Sequence, residues 1–384
     1  MKRFVFLFLF SVVFAADKTI CLNMIVKDEA SIITRCLESV KPYIDYWVIV
    51  DTGSTDGTQD VIREFMKDIP GELHESEWVN FGHNRNEAME LAKGKGDYLL
   101  FVDADEVLSG KMDKEALHED VYLGVTVLQR NPMISFKRAL LINNALDWSW
   151  KGVIHETLQC EGSPSYDTLW GMELSAEAKD GNRAKDPKKY MKDAKALEVA
   201  LETDPNNPET VYYLAQSYYM AKEYELALKN FLKRAQMDGW DQQTFWSKYY
   251  SGHIQELLGM SKEAIVNSYC DAYQFRPTRA EPLMKLANMF YNQGNYIIGF
   301  LLAKEGLKIP KPDDIVYVEE WVYDYGLAAV FANCAQKLGK HDLALTHFEK
   351  VAGAKTTPEF MRQEAEKIAA YLKESLSSLH EEPH

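Results

Sequence analysis

The sequence predicts a two-part chain: an α/β domain built on a mostly parallel sheet, followed by an all-α array of helix pairs. Three observations predict it. Short apolar runs alternate with amphipathic helical patterns over residues 19–102, the order that builds a parallel sheet covered by helices on both faces. Acidic and glycine-bearing segments follow the apolar runs. From Asp186 onward the strand patterns fade, and a Leu-Ala and aromatic signature recurs instead.

The elements of the first part follow in order. Residues 19–26 are apolar and β-branched and end at Lys27-Asp28-Glu29, a buried-strand pattern. Residues 30–40 place Ile32, Ile33, Cys36, Leu37 and Val40 at helical spacing, with Pro42 beyond the end. Residues 46–50 form the second strand. Residues 58–67 form a helix with Val61, Ile62, Phe65 and Met66 inward, and residues 73–77 a weak third strand. Residues 84–92 are helical with Ala88 and Leu91 on one face, and residues 98–102 are a further buried strand. In such sheets the ligand sits beyond the carboxyl ends of the strands.

Two strand ends carry chemistry. After the second strand comes Asp51-Thr-Gly-Ser-Thr-Asp-Gly-Thr58. Its glycines allow tight turning, and its hydroxyls and Asp56 can cap the next helix. Asp51 at the strand tip can accept from a base N–H or a ribose hydroxyl; a capped turn without a ligand fits the same residues. After the later strand comes Asp103-Ala-Asp-Glu106. Read as extended, positions two apart face one side, so two carboxylates converge. Mg²⁺ or Mn²⁺ suits such a pair, completing its shell with phosphate oxygens and water; the alternative is a solvated acidic turn.

These motifs resemble those of family 2 glycosyltransferases, which have the GT-A fold, a Rossmann-like nucleotide-sugar-binding domain. The resemblance lies in Met24-Ile-Val-Lys-Asp-Glu29 followed by Arg35-Cys-Leu-Glu-Ser-Val40, in Val50-Asp51 through Thr58, in Asn84-Arg85-Asn86, and in Phe101-Val-Asp-Ala-Asp-Glu-Val-Leu108. Asp28 departs from the pattern, where related sequences more often have Asn. The resemblance implies that Asp51 contacts the base or ribose, that Arg85 lies near the base or diphosphate, that Asp103 contacts ribose or metal, and that Asp105 binds the metal. It also implies a nucleotide-sugar donor, Mn²⁺ or Mg²⁺ acting on the leaving nucleoside diphosphate, and an inverting single displacement, which needs a general base. Gly152-Val-Ile-His-Glu156 resembles the element that closes the catalytic domain in similar sequences, often after an arginine such as Arg138. His155 is a candidate metal or diphosphate ligand and Glu156 a candidate base; Asp147 and Glu106 could serve as base instead. Trp148 and Trp150 could stack on an acceptor sugar or belong to the core.

In the second part, Leu214-Ala215 with Tyr218, Leu286-Ala287 with Phe290, and Leu343-Ala344 with Phe348 repeat the tetratricopeptide pattern. Ala227, Ala264, Gly299 and Ala344 are the small anchors, so about four degenerate helix pairs are expected, with an insertion before the last. Pairs of this kind stack into a solenoid whose concave face suits a peptide or another domain; a stability or oligomerisation module fits equally. Arg276-Pro-Thr-Arg-Ala-Glu-Pro282 holds charged residues between prolines, and a similar stretch occurs in bacterial and giant-virus glycosyltransferases of this type. The tail from Ser375 is expected to fray.

Composition bounds the rest. The chain has 384 residues, 46% hydrophobic and 26% charged, which excludes a disordered, collagen-like or mucin-like chain. It is long enough for two or three domains and a core without staples. A net charge of −15 argues against nucleic acid as the main partner. Five scattered cysteines without CxxC indicate neither a zinc module nor a disulfide scaffold. Met1-Lys2-Arg3 and the apolar residues 4–16 form a signal-like or anchor segment, too short to span a bilayer and compatible with cleavage after Ala15.

The expectation is therefore a leader over 1–16, a GT-A domain over 17–180 and tetratricopeptide-like repeats over 186–375. The activity expected is metal-dependent, inverting transfer of a sugar to a protein, peptide or glycan acceptor that the repeats position. The alternative is a repeat scaffold whose first domain has lost turnover. A secretory or membrane-associated location fits the N-terminus, with a cytoplasmic one as the alternative, and a membrane tether and a homo-oligomer formed through the repeats are both compatible.

Overall fold

A computed structural model of the protein describes residues 17–128, 133–176 and 181–381. The leader reading falls on residues 1–16, outside the described residues.

Four parallel strands form one half of an eight-stranded sheet: β1 (Ile20–Val26), β2 (Tyr46–Asp51), β3 (Gly71–Glu75) and β4 (Tyr98–Phe101), in the order β3-β2-β1-β4. Alternate residues of β1 serve opposite faces, as a period of two requires. Ile20, Leu22, Met24 and Val26 pack with Ile33, Cys36, Leu37 and Val40 of α1 (Ile33–Val40) and Ile62 of α2 (Thr58–Phe65). Cys21 packs with Val48, Leu99 and Phe101 against Met89 of α3 (Phe81–Leu91), where Trp148 and Trp150 complete the second core.

Several boundaries differ from the sequence reading, among them the start of α1 at Ile33 rather than residue 30 and the end of α2 at Phe65 rather than residue 67, and two have a visible cause. The third strand starts at Gly71 rather than residue 73. There the chain passes so close to Trp47 that a Cβ would lie 2.2 Å from Cδ2 of the indole, so the strand begins on a residue whose type signals a turn. Helix α3 starts at Phe81 rather than residue 84, because the Asn80 side chain accepts from the His83 N–H and caps it.

The other half of the sheet is mixed. It comprises β5 (Glu106–Gly110), β6 (Val121–Leu128), β7 (Ile134–Asn143) and β10 (Tyr166–Ala176), in the order β4-β7-β6-β10-β5, with β7 antiparallel to both neighbours. β8 (Trp148–Lys151) and β9 (Thr157–Cys160) form a separate hairpin.

The helical part opens with α4 (Lys189–Thr203). Four antiparallel pairs follow: α5 (Pro208–Met220) with α6 (Tyr224–Arg234), α7 (Asp241–Leu257) with α8 (Lys262–Phe275), α9 (Glu281–Asn292) with α10 (Tyr296–Gly306), and α11 (Leu327–Lys337) with α12 (His341–Gly353). Ala227, Gly299 and Ala344 are buried anchors. Gly299 lets two helices touch, since a Cβ there would lie 2.9 Å from Cys334 Sγ and 3.0 Å from the Ala287 carbonyl. The tail departs from expectation: α13 (Glu359–Glu381) continues through Ser375, because Ala365, Ala369 and Leu372 anchor it in the core of the last pair.

The insertion before α11 is a strap that joins the two parts. Ser135 and Val318 exchange backbone hydrogen bonds of 3.0 and 2.7 Å, and the Lys137 N–H donates to the Ile315 carbonyl at 2.7 Å. The strap thus lies along the start of β7. Arg279 pins it from the helical side, donating to Asp314 at 2.7 Å and to the Tyr317 carbonyl at 3.0 Å. Its guanidinium also binds Glu281 and lies 4.5 Å from the Phe245 ring centroid. Within the stretch between prolines noted in the sequence, Arg279 to Pro282 is thus a buried structural anchor, whereas Pro277 and Thr278 are exposed. No helix among the described residues is long and apolar enough to cross a membrane.

Candidate active site

The site forms at the carboxyl ends of β1, β2 and β4. Asp51 closes β2 and is fully buried. Its Oδ1 accepts from the Gly53 and Ser54 N–H groups, at 2.9 and 2.8 Å, and from Gln59 Nε2 at 3.1 Å. Gly53 and Gly57 take φ of 101° and 90°, the left-handed conformation that favours glycine. Asp51 Oδ2 is buried without a partner among the described residues, a donor-seeking oxygen at a strand end.

The β1 end clasps this loop. The Asp28 N–H donates to Ser54 Oγ at 2.8 Å, and the Thr55 N–H donates to Asp28 Oδ1 at 2.8 Å. Asp28 has φ of 55°, a conformation that Asp and Asn tolerate alike. Its departure from the family pattern therefore leaves the backbone unchanged.

The stretch after β4 is not extended, contrary to expectation. The Glu106 N–H donates to the Asp103 carbonyl at 3.0 Å and Glu106 Oε2 accepts from the Asp103 N–H at 2.8 Å, folding the segment into a turn. The turn, not strand alternation, brings Asp103, Asp105 and Glu106 together.

A row of alternating charges crosses this turn. Arg85 of α3 donates from Nε to Glu156 Oε1 at 2.6 Å and from Nη2 to Asp103 Oδ1 at 2.8 Å. Arg138 of β7 lies 3.6 Å from Asp103 and pairs with Glu106. Burial opposes ionisation of Asp103, but Arg85 and Arg138 outweigh it and hold its carboxyl below the ordinary range. Burial and the Asp103 charge push Glu106 up to about 7 despite Arg138. Burial also raises Asp105, with Asp103 adding to the shift. Glu29, at the start of the α1 turn, is pushed up to about 7 by burial; a hydrogen bond from the Asn182 N–H counters this and Asp105 adds to it.

Asp105 differs from its neighbours: among the described residues its carboxylate meets its own N–H and no side chain of another residue. Gly181 lies against it, where a Cβ would fall 2.9 Å from Oδ2. No group of three or more His, Cys, Asp or Glu side chains fit to hold a metal occurs among the described residues. Mg²⁺ and Mn²⁺ need only one or two protein carboxylates, and the carboxylate of Asp105 beside Asp103 fits that requirement.

His155 and Glu156 lie in the loop between β8 and β9. Glu156 faces Arg85, and its Oε2 has no hydrogen-bond partner among the described residues. His155 meets the helical array: its ring stacks on Tyr213 of α5, with centroids 4.5 Å apart and planes 16° from parallel. The residue is exposed to water, yet atoms of α4 and α5 crowd around its ring. That crowding pushes its imidazole down to about 4, with Asp193 opposing and Arg183 and Lys189 adding.

The structure thus joins Arg85, Asp103 and Glu156 directly and sets Asp105 beside them, whereas His155 turns towards α4 and α5. Asp147 stands apart, its side chain 92% exposed near Lys93. Trp148 and Trp150 are half-buried in the α3-side core, with Trp150 5.4 Å under the Arg85 guanidinium. Sequence reasoning passed over Glu29, although it lies within a quoted motif, and over Tyr213, which carries no signal apart from its helical position.

Residues 21–128 match the family model for glycosyl transferase family 2. The chain is 40% identical over 95 residues to a TPR repeat-containing protein of Synechococcus elongatus, covering 24% of this chain and 22% of that protein. It is 24% identical over 231 residues to the SPbeta prophage-derived glycosyltransferase SunS of Bacillus subtilis, covering 56% of this chain and 53% of that protein. The chain thus spans about half of one of these curated relatives and less than a quarter of the other. Among solved structures, the MamA protein covers 43% of this chain and 84% of its own length at 18% identity, with a TM-score of 0.34. That score is too low to bear on the fold, which rests on the helix pairing above.

Proposed function

We infer that this chain, which carries a family 2 glycosyltransferase domain at residues 21–128, transfers a sugar from a nucleotide-sugar donor to a protein, peptide or glycan acceptor. The observation that carries this reading is the Glu156–Arg85–Asp103 row with Asp105 beside it, whose carboxylate no other side chain engages among the described residues. The donor's nucleoside lies at Asp51, whose free Oδ2 accepts from the base or a ribose hydroxyl. Arg85 and Arg138 hold Asp103 ionised beside the diphosphate. Asp105, with Asp103, would hold Mn²⁺ or Mg²⁺, which supplies Lewis-acid stabilisation of the leaving diphosphate when bound. Glu156 is oriented by Arg85 through one oxygen and keeps the other free to take the acceptor's proton. As that proton moves to Glu156, the acceptor oxygen bonds the anomeric carbon and the bond to the nucleoside diphosphate breaks, with inversion.

The test is calorimetric titration of the full chain with UDP and with GDP, each in Mn²⁺ and in EDTA. Metal-dependent binding of one nucleotide supports the reading and selects the donor class. A folded protein that binds neither counts against it and favours a scaffold.

A further inference from the structure

The loop that carries Glu156 is poorly held by its own backbone. Residues 152–156 join β8 to β9, and among the described residues they make no backbone hydrogen bond outside the strands. Two of them take left-handed conformations, Gly152 at φ 108° and His155 at φ 54°. The second is uncommon for a residue with a side chain and needs support from its surroundings.

Support comes from two sides. On the sheet side, Arg85 binds the Glu156 carboxylate. On the other, Tyr213 stacks on the His155 ring, an aromatic contact that fixes ring position. No hydrogen bond to the His155 ring is found among the described residues, so the stack is its hold there. Tyr213 is itself firmly placed. Its neighbour Tyr212 is buried, meets it edge-on at 5.4 Å, and packs on Phe231 of α6 at 6.2 Å. Glu156 is among the charges acting on the Tyr213 phenol, which sets α5 beside the base.

We propose that Tyr213, from the first helix pair of the array, is a positioning residue of the transfer site: by stacking on His155 it fixes the backbone that presents Glu156. The helical array would then complete the active site rather than only recruit acceptors. This rests on the glycosyl-transfer reading for its catalytic meaning, though the stack itself can be tested without it.

The experiment compares the full chain with Y213F, which keeps the ring, and Y213L, which keeps bulk but loses the stack. Hydrogen exchange is followed for peptides covering residues 152–157. Release of nucleoside diphosphate is followed from the UDP- or GDP-sugar whose nucleotide binds with Mn²⁺. Y213F should match the wild type in both. Y213L should exchange about tenfold faster in that loop and turn over about tenfold more slowly, with its nucleotide affinity within about twofold. Unchanged loop exchange in Y213L, or Y213F behaving like Y213L, would overturn the proposal. Should Y213L not fold, H155A removes the same stack from the loop side and is read the same way. A wild-type chain that binds no nucleotide sinks the transfer reading alone, and the exchange comparison still decides the brace.

Discussion

Arg85 is bound by Glu156 on one side, at 2.6 Å, and by Asp103 on the other, at 2.8 Å, so that one guanidinium joins a hairpin loop to a strand end. Its side chain is 13% exposed. Removing it strands two carboxylates that have been shaped around its charge. Arg85→Ala is expected to lower the unfolding free energy by about 2–3 kcal/mol, less than for a fully buried pair because Asp103 remains partly wet. Urea unfolding checks this, and a loss under about 0.5 kcal/mol would mean that the pair is merely a surface contact.

Asp105 should behave in the opposite way. Burial and the Asp103 charge raise its carboxyl, so its ionised form weakens the fold at neutral pH. Asp105→Asn should melt at or above the wild-type temperature and yet lose Mn²⁺-dependent nucleotide binding. Retained metal-dependent binding in the variant would remove Asp105 from the metal site.

The acid limb of stability follows from Glu29 and Glu106, both pushed up to about 7 from an ordinary 4.5. The folded state holds these protons more tightly than the unfolded chain does. Their contribution is therefore fully present below 4.5 and is lost as pH rises through about 7. Melting temperature should fall over that interval, and Glu29→Gln should flatten the fall. Glu72, held down to about 2 by Lys95, Tyr46 and His74, acts only at lower pH, and His155, pushed down from 6.5 to about 4, offsets one of the two glutamates over part of the interval, leaving a net fall. A melting temperature that rises over the interval would contradict the assignment.

Arg279 and Glu281 are both wholly buried. Arg279→Ala should cost about 3–5 kcal/mol, and the double change to Met and Leu should cost less than the single one, because it leaves fewer charges stranded. Chemical denaturation of the two variants decides it; a double variant weaker than the single one would show that the pair itself is net stabilising.

Three strands of the parallel half of the sheet were legible because β1, β2 and β4 each announce themselves by a run of buried apolar residues, as Tyr46 to Val50 does, and end at an Asp-bearing turn; β3, with Leu73 as its one large apolar residue, was legible only weakly. The helix pairs were legible through small residues such as Ala227 and Ala344, where helices touch. Register inside short acidic stretches was not. Asp103 to Glu106 alternates like a strand, yet two local hydrogen bonds fold it into a turn. Long-range partners were illegible for a different reason: nothing in the sequence near Tyr213 shows that it faces His155, 58 positions away. Such contacts depend on how two parts of the chain dock.

The strap along β7 has a consequence for modularity. Strands left open along their length invite pairing with another chain, and the run from Ser135 to Lys137 is closed by residues from beyond position 300. An isolated fragment ending near residue 180 would therefore expose a sticky border that the intact chain keeps sealed. Such a fragment is expected to self-associate when expressed alone. For the same reason, the sheet domain is not expected to work when transplanted into another protein without its own helical cover.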